Sequence, residues 1–213
     1  MSLKYVDEYF EDPEIIRKVK DKLSLMFQIA ELESSRAGKI GMEVGSTRER
    51  IIIALLMNIY EKSEIKTDIP ITESETDLKI LNKPISIKTI TGISGVKVIW
   101  TVDSQKAQEF LKNYKPTCDL ILAVIKWIRK ESEHPGGLYF IPLDTQKEIL
   151  KKLGKNKYLK LPKEGTNPRG VEISRDALIE LMQHKSTKCI TVHWKKEKFD
   201  YNIYKRWVDE WQK

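Results

Sequence analysis

The sequence predicts an α/β fold, a mixed central β-sheet flanked by helices, and three stretches carry that expectation. Between Glu75 and Thr91, two apolar-rich runs flank a short polar break and alternate in character. Leu78, Ile80, Ile85 and Ile87 fall on one face, as they do in the strands of a hairpin. Asp119 to Ile128, DLILAVIKWI, is a nearly continuous apolar run of the kind found in a strand buried on both faces. Residues 13 to 35 place Ile15, Ile16, Val19, Leu23, Met26, Phe27 and Ala30 at helical spacing. A chain of 213 residues suits one domain spanning 1–213, with N-terminal helices and C-terminal elaborations around one core.

Composition narrows the partners. The chain has 38 Lys and Arg against 31 Asp and Glu, a net charge of +7 with 32% of residues charged. That excess suits a polyanionic partner, and equally a merely lysine-rich surface. Cys118 and Cys189 stand far apart without metal-ligand spacing, which argues against a disulfide framework or a structural zinc site. Both are expected to be buried thiols. No apolar run reaches membrane-spanning length, and the start, MSLKYVDEYFEDPE, is acidic where a signal peptide is basic and then apolar. A cytoplasmic protein with no membrane partner is expected.

In chain order, the first helix opens after Asp12 at Pro13. The glycine-punctuated segment Arg36 to Gly45, with Lys39 and Met42 in it, is expected to be a loop whose backbone can approach a partner closely. A second helix is expected to start at Ser46, because Ser-Thr-Arg-Glu has the form of a capping box. Glu49 would then bond back to the Ser46 backbone. In the hairpin, Asn82-Lys83 is expected to close the turn, which sets Lys79 opposite Ser86 and Asp77 opposite Lys88. A third strand is expected over 96–102 and a helix from Asp103 to about Tyr114. A short strand over 138–141 and a helix from Asp144 to about Gly154 follow. Lys155 to Gly170 is basic and broken by Pro and Gly, fitting either a DNA-groove reader or a solvated loop. Ser174 caps a helix to His184, a strand is expected from Cys189 to Trp194, and a last helix carries Tyr204, Trp207 and Trp211 as a core or dimer-contact stripe.

The hairpin carries the chemistry. Metal-dependent phosphodiester hydrolysis needs hard oxygen ligands for Mg²⁺ and gains from a cation near the attacking water. Asp77 offers an oxygen, Lys88 the cation, and the backbone carbonyl of Ile87 a further ligand. One carboxylate is then missing from the strands. Glu75, two residues before Asp77, could take a second metal or line the approach, while Glu43 and Glu73 are expected to be solvated. Lys79 suits a phosphate contact, Ser86 a water or simple packing, and His134, His184 and His193 show no metal-ligand spacing.

Asp77, with Ser86-Ile87-Lys88 on the paired strand, resembles the active-site hairpin of the PD-(D/E)XK nucleases. Ser86 stands where an acid is usual, and no proline precedes Asp77. In that superfamily the missing acid can come from a neighbouring helix, which points to Glu49. The order of Met42 in GKIGMEVG, Glu49 in STRERIII, Asp77 in SETDLKI and Lys88 in ISIKT is similar to that of the ThaI-type restriction endonucleases. The resemblance implies a PD-(D/E)XK core and a homodimer that cuts duplex DNA with Mg²⁺ at a short palindrome, CGCG, paired with a cognate DNA methyltransferase. Glu49, Asp77 and Lys88 would be catalytic, and Glu49, Asp77 and the Ile87 carbonyl would hold the metal. The resemblance also implies that Met42 wedges between base steps, while Lys39, Ser86, Lys97, Lys163, Asn167 and Arg169 are candidates for DNA contact. A junction resolvase or repair nuclease of the same fold, and a non-catalytic nucleic-acid-binding module, are the alternatives.

Overall fold

A computed structural model describes residues 4–36, 39–41, 43–70, 73, 75–99, 101, 103–127, 136–162 and 170–212. Its centre is a six-stranded mixed sheet, and the long apolar run of the sequence lies in its interior. The strands of that sheet are β1 (Ile65–Lys66), β2 (Leu78–Ile80), β3 (Lys83–Thr91), β5 (Asp119–Ile125), β6 (Gly136–Ile141) and β9 (Lys188–Thr191), in the spatial order β9-β6-β5-β3-β2-β1. Among the described residues, only β3 and β5 pair in parallel. A parallel pair needs a long crossover. Here it is supplied by strand β4 (Val96–Ile99) and a helix over Ser104–Asn113 that Asp103 caps through bonds from the Gln105 and Lys106 amides.

Both faces of the sheet are covered, which accounts for the unbroken apolar character of β5. Its Ile121, Ala123 and Ile125 join one core with Ile85, Ile87, Phe27, Ile52 and Trp194, while Leu120, Leu122 and Val124 join another with Ile90, Tyr139, Ile149 and Leu178. The first core is roofed by helices α1 (Pro13–Glu33) and α2 (Val44–Ile59). The second lies under the helices over Leu143–Leu153 and Arg175–Gln183. A second, three-stranded antiparallel sheet, β4-β8-β7, with β7 (Leu159–Lys160) and β8 (Val171–Ile173), closes this side.

The hairpin turn differs from the sequence expectation by one position. The register is Leu78↔Ile85, Lys79↔Pro84 and Ile80↔Lys83, so the loop residues are Leu81 and Asn82, not Asn82 and Lys83. Both have positive φ, 49° and 64°, as a type I′ turn requires. Pro84 is the reason. A residue before proline is held in extended backbone, so Lys83 cannot supply the left-handed conformation and belongs to the strand. Every partner therefore moves by two residues, which leaves each side chain on its expected face.

Other departures are local. The strand expected over 96–102 ends at Ile99, and the one expected from Cys189 to Trp194 is confined to Lys188–Thr191. Cys118 is buried but Cys189 is exposed, because β9 edges the sheet and alternation turns Ile190 inward instead. The C-terminal helix is only Lys205–Trp211 and its aromatics are not core: Tyr204 is 66%, Trp207 56% and Trp211 92% exposed. No described helix is long and apolar enough to cross a membrane.

Candidate active site

Asp77 sits just before β2, with its amide bonded to the Ile85 carbonyl at 2.9 Å. Its Oδ2 accepts three hydrogen bonds from β3: the Ile87 amide at 2.6 Å, the Ser86 hydroxyl at 3.2 Å and the Lys88 Nζ at 3.1 Å. With the corrected register, Ser86 is the direct neighbour across the hairpin and Lys88 the diagonal one. A lysine reaches a diagonal partner on the same face easily. No hydrogen bond reaches Asp77 Oδ1 among the described residues. Ser86 is only 6% exposed, so its hydroxyl is committed to holding this carboxylate.

Glu49 comes from α2, and the helix starts earlier than the sequence suggests. It begins at Val44, with Glu43 at the N-cap position and no side-chain cap, so Ser46 lies inside the first turn and the expected capping box does not form. Arg48, Ile52 and Leu56 share the buried face of α2. Glu49, one step around the helix, is half-buried in a cleft of ≈ 690 Å³ that Lys88, Thr91, Gly95, Lys97 and Glu172 also line. Burial pushes the Glu49 carboxyl up to about 7, with the Lys88 ammonium drawing it down and the Asp77 carboxylate raising it further. The three groups thus feel one another's charge. No described residue hydrogen-bonds the Glu49 carboxylate.

A half-buried carboxylate without a donor, next to a second one with a free oxygen, suits a hard divalent cation. Among the described residues no three His, Cys, Asp or Glu side chains converge as a complete cage. Mg²⁺ does not require one, since water and phosphate oxygens commonly fill most of its shell. Glu75 borders a neighbouring pocket with Ser86, Lys88 and Cys118, and its Oε2 accepts from the Thr117 hydroxyl at 2.9 Å. Its carboxyl is raised by burial and lowered by that bond. Lys79 faces Pro84 and bonds Glu73 at 2.8 Å, so Glu73 is not the solvated acid the sequence suggests. His184 touches Glu148 and Thr145, and His193 is exposed.

Of the candidate DNA contacts, Lys39 is exposed on a two-stranded ribbon formed by Ser35–Arg36 and Lys39–Ile40, and Lys97 lines the cleft. Met42, Lys163, Asn167 and Arg169 lie outside the described residues, as does His134. A larger cleft of ≈ 940 Å³ lies between Glu33 and the segment 200–210. It holds none of the groups gathered around Lys88, and we place the chemistry at the smaller one.

Sequence reasoning missed a buried polar network beneath the site. Arg48 pairs with Glu31 of α1, and its other Nη donates to the Thr91 hydroxyl at 3.2 Å. Glu31 also accepts from Trp127 Nε1 at 2.7 Å and from Lys196 Nζ at 2.7 Å. The signal available was weak: Glu31 occupies an apolar-face position of α1, four residues after Phe27.

Two comparisons with known proteins bear on the whole chain. The family model of the restriction endonuclease ThaI matches residues 9–213. A solved structure described as a restriction endonuclease in complex with substrate DNA is 53% identical, covering 98% of this chain and 99% of its own, with a TM-score of 0.88. No curated protein matches the chain. Matched over nearly its whole length, the chain belongs to the ThaI family of restriction endonucleases.

Proposed function

We propose that this chain is a type II restriction endonuclease that hydrolyses phosphodiester bonds in duplex DNA at a short palindromic G·C-rich site, CGCG, with Mg²⁺. The observation that carries the proposal is the meeting of Glu49 from a helix, Asp77 from the residue before β2 and Lys88 from β3, with Glu49 and Lys88 opening on one cleft. The family membership, the substrate DNA named for the structural neighbour and the +7 charge all support it. A palindromic target calls for two-fold symmetry, hence a homodimer with one protomer per half-site. A cognate DNA methyltransferase would protect the host's own sites.

Glu49 and Asp77 are the carboxylates that fit Mg²⁺, and the Ile87 carbonyl fits as a third oxygen. The Ile87 amide points at Asp77, and in a strand the carbonyl of a residue projects to the same edge as its amide. When bound, the cation lowers the pKa of water and stabilises charge on the phosphate. The side chains do the rest. Lys88 Nζ orients the attacking water, and takes its proton only from the neutral amine form. The Ile87 amide and the Ser86 hydroxyl fix the Asp77 carboxylate so that Oδ1 faces outward, and Ser86 acts on DNA through Asp77 rather than by touching it. Lys39 and Lys97 neutralise phosphate or meet guanine edges, as do Lys163, Asn167 and Arg169, and Met42 wedges between base steps.

The test is digestion of plasmid DNA with purified protein and Mg²⁺. Discrete bands that map to CGCG are expected. A smear, or cutting of branched junctions alone, would replace sequence recognition with structure recognition. An intact plasmid under all metals tried would end the endonuclease assignment.

A further inference from the structure

Glu172 is an acid in the wall of a cleft that, on the function proposed above, admits a polyanion. It lies on β8, where the antiparallel register with β4 runs Ile173↔Val96 and Glu172↔Lys97 and then slips to Val171↔Ile99. The slip leaves Val98 as the extra residue, so β4 is the strand that bends, directly opposite Glu172. Gly95, at the start of β4, completes the arrangement. A Cβ there would stand 2.5 Å from Glu172 Oε2 and 3.0 Å from the Ile173 carbonyl, so the carboxylate lies against a bare Cα. Gly95, Glu172, Glu49 and Lys88 all line the same cleft. Among the described residues, the Glu172 side chain makes no hydrogen bond and no ion pair.

A carboxylate held toward a phosphodiester backbone weakens binding unless it meets a donor. The donors that base edges present are exocyclic amino groups: cytosine N4 and adenine N6 in the major groove, guanine N2 in the minor groove. An ionised carboxylate accepts from these and repels the acceptor edges of other bases, so it selects by attraction and by exclusion together. We propose that Glu172 is a specificity-determining residue that accepts a hydrogen bond from an exocyclic amino group of the target base pairs, with Gly95 and the bulge fixing its aim. It rests on the endonuclease reading, because a chain that does not cut DNA has no target to read.

The experiment measures kcat/KM on the cognate duplex and on duplexes that each lack one amino group. Hypoxanthine replaces guanine to remove N2, and pyrimidin-2-one replaces cytosine to remove N4. Wild-type protein is expected to lose roughly ten- to hundredfold on the analogue that removes the contacted amino group. Glu172→Gln and Glu172→Ala should lose a similar factor on the unmodified site and nothing further on that analogue. Gly95→Ala, which displaces the carboxylate without removing it, should show the same loss of coupling. Thermal melting checks that each variant is folded. Coupling to a cytosine analogue assigns the contact to the major groove, and coupling to hypoxanthine assigns it to the minor groove. Equal losses on every analogue for wild type and both Glu172 variants, in protein that still cuts its site, would overturn the proposal and leave the endonuclease reading standing. Wild-type protein that cuts no duplex would sink both.

Discussion

Arg48 and Glu31 form an ion pair in which each side chain is 5% exposed, and the residue that follows Arg48 in the chain is Glu49. Consecutive helix positions therefore send one charge into the interior and the next into the cleft. Removing one member of a buried pair strands the other, at about 3–5 kcal/mol. Arg48→Met should destabilise the protein by that amount in denaturant unfolding. Arg48→Met with Glu31→Met should recover most of it, because Lys196, half exposed, can turn to solvent. Since Arg48 also bonds Thr91 at the end of β3, cleavage should fall in the single variant by more than the folded fraction explains. Full activity in folded Arg48→Met would show that the pair has no part in placing Glu49.

Asp77→Asn and Lys88→Met address the chemistry itself. The asparagine can still accept from the Ile87 amide and the Ser86 hydroxyl, so the hairpin should hold, with a loss of about 1.5–3 kcal/mol for the charge-assisted part of its bonds. Cleavage should drop by at least about 10²-fold in each variant, the lower end for a positioned proton-transfer group. DNA binding measured in Ca²⁺ should change far less. A variant that still cuts at the wild-type rate removes that residue from the active site.

The alternation in β2 and β3 and the run in β5 were readable because each is a direct imprint of burial on one face or two. That periodicity placed Asp77, Ser86 and Lys88 on one face even though the turn was misplaced by one residue, since the resulting change of two preserves side-chain parity. Pro84, whose effect on Lys83 is local, is the residue in the sequence that fixes the turn one position earlier. The start of α2 misled for a related reason: Ser46 and Glu49 have the spacing of a capping box, but the helix continues backwards through Gly45 to Val44. Its failure leaves Glu49 without the bond that would have tied it to the backbone. The Arg48 network and Glu172 were illegible because both depend on long-range proximity. Glu31 meets Lys196 across 165 positions, and Glu172 acquires its place only when β8 pairs with β4.

The turn at Leu81 and Asn82 provides a stability test of the register. Asn82 has φ 64°, a conformation that asparagine tolerates and most side chains resist by about 1–2 kcal/mol. Asn82→Ala should therefore lower stability by about 1 kcal/mol, while Asn82→Gly should be close to neutral. Lys83→Gly separates the two registers: with Lys83 in extended backbone before Pro84, added freedom at that position destabilises. A stabilising Lys83→Gly would instead favour the turn at Asn82 and Lys83.

The raised Glu49 carboxyl sets a pH dependence whose sign is fixed. In the unfolded chain the group titrates near 4.5, and in the folded protein without metal at about 7. Below 4.5 it is protonated in both states and its neutral form is accommodated in full. As pH rises from 4.5 through about 7, the unfolded chain releases the proton first, so metal-free stability falls over this window and levels off above it. The total is at most about 3.5 kcal/mol at roughly 1.4 kcal/mol per unit, reduced by water screening at the cleft mouth. Glu49→Gln should flatten the fall, and the difference between wild-type and variant melting curves isolates this group from the histidines. A Mg²⁺ ion held as proposed needs the ionised form, so it should raise the melting temperature more at pH 8 than at pH 5.5 in wild-type protein. A Mg²⁺ shift that is equal at the two pH values, or unchanged in Glu49→Gln, would remove Glu49 from the metal site while leaving Asp77 and Lys88 to be judged by cleavage.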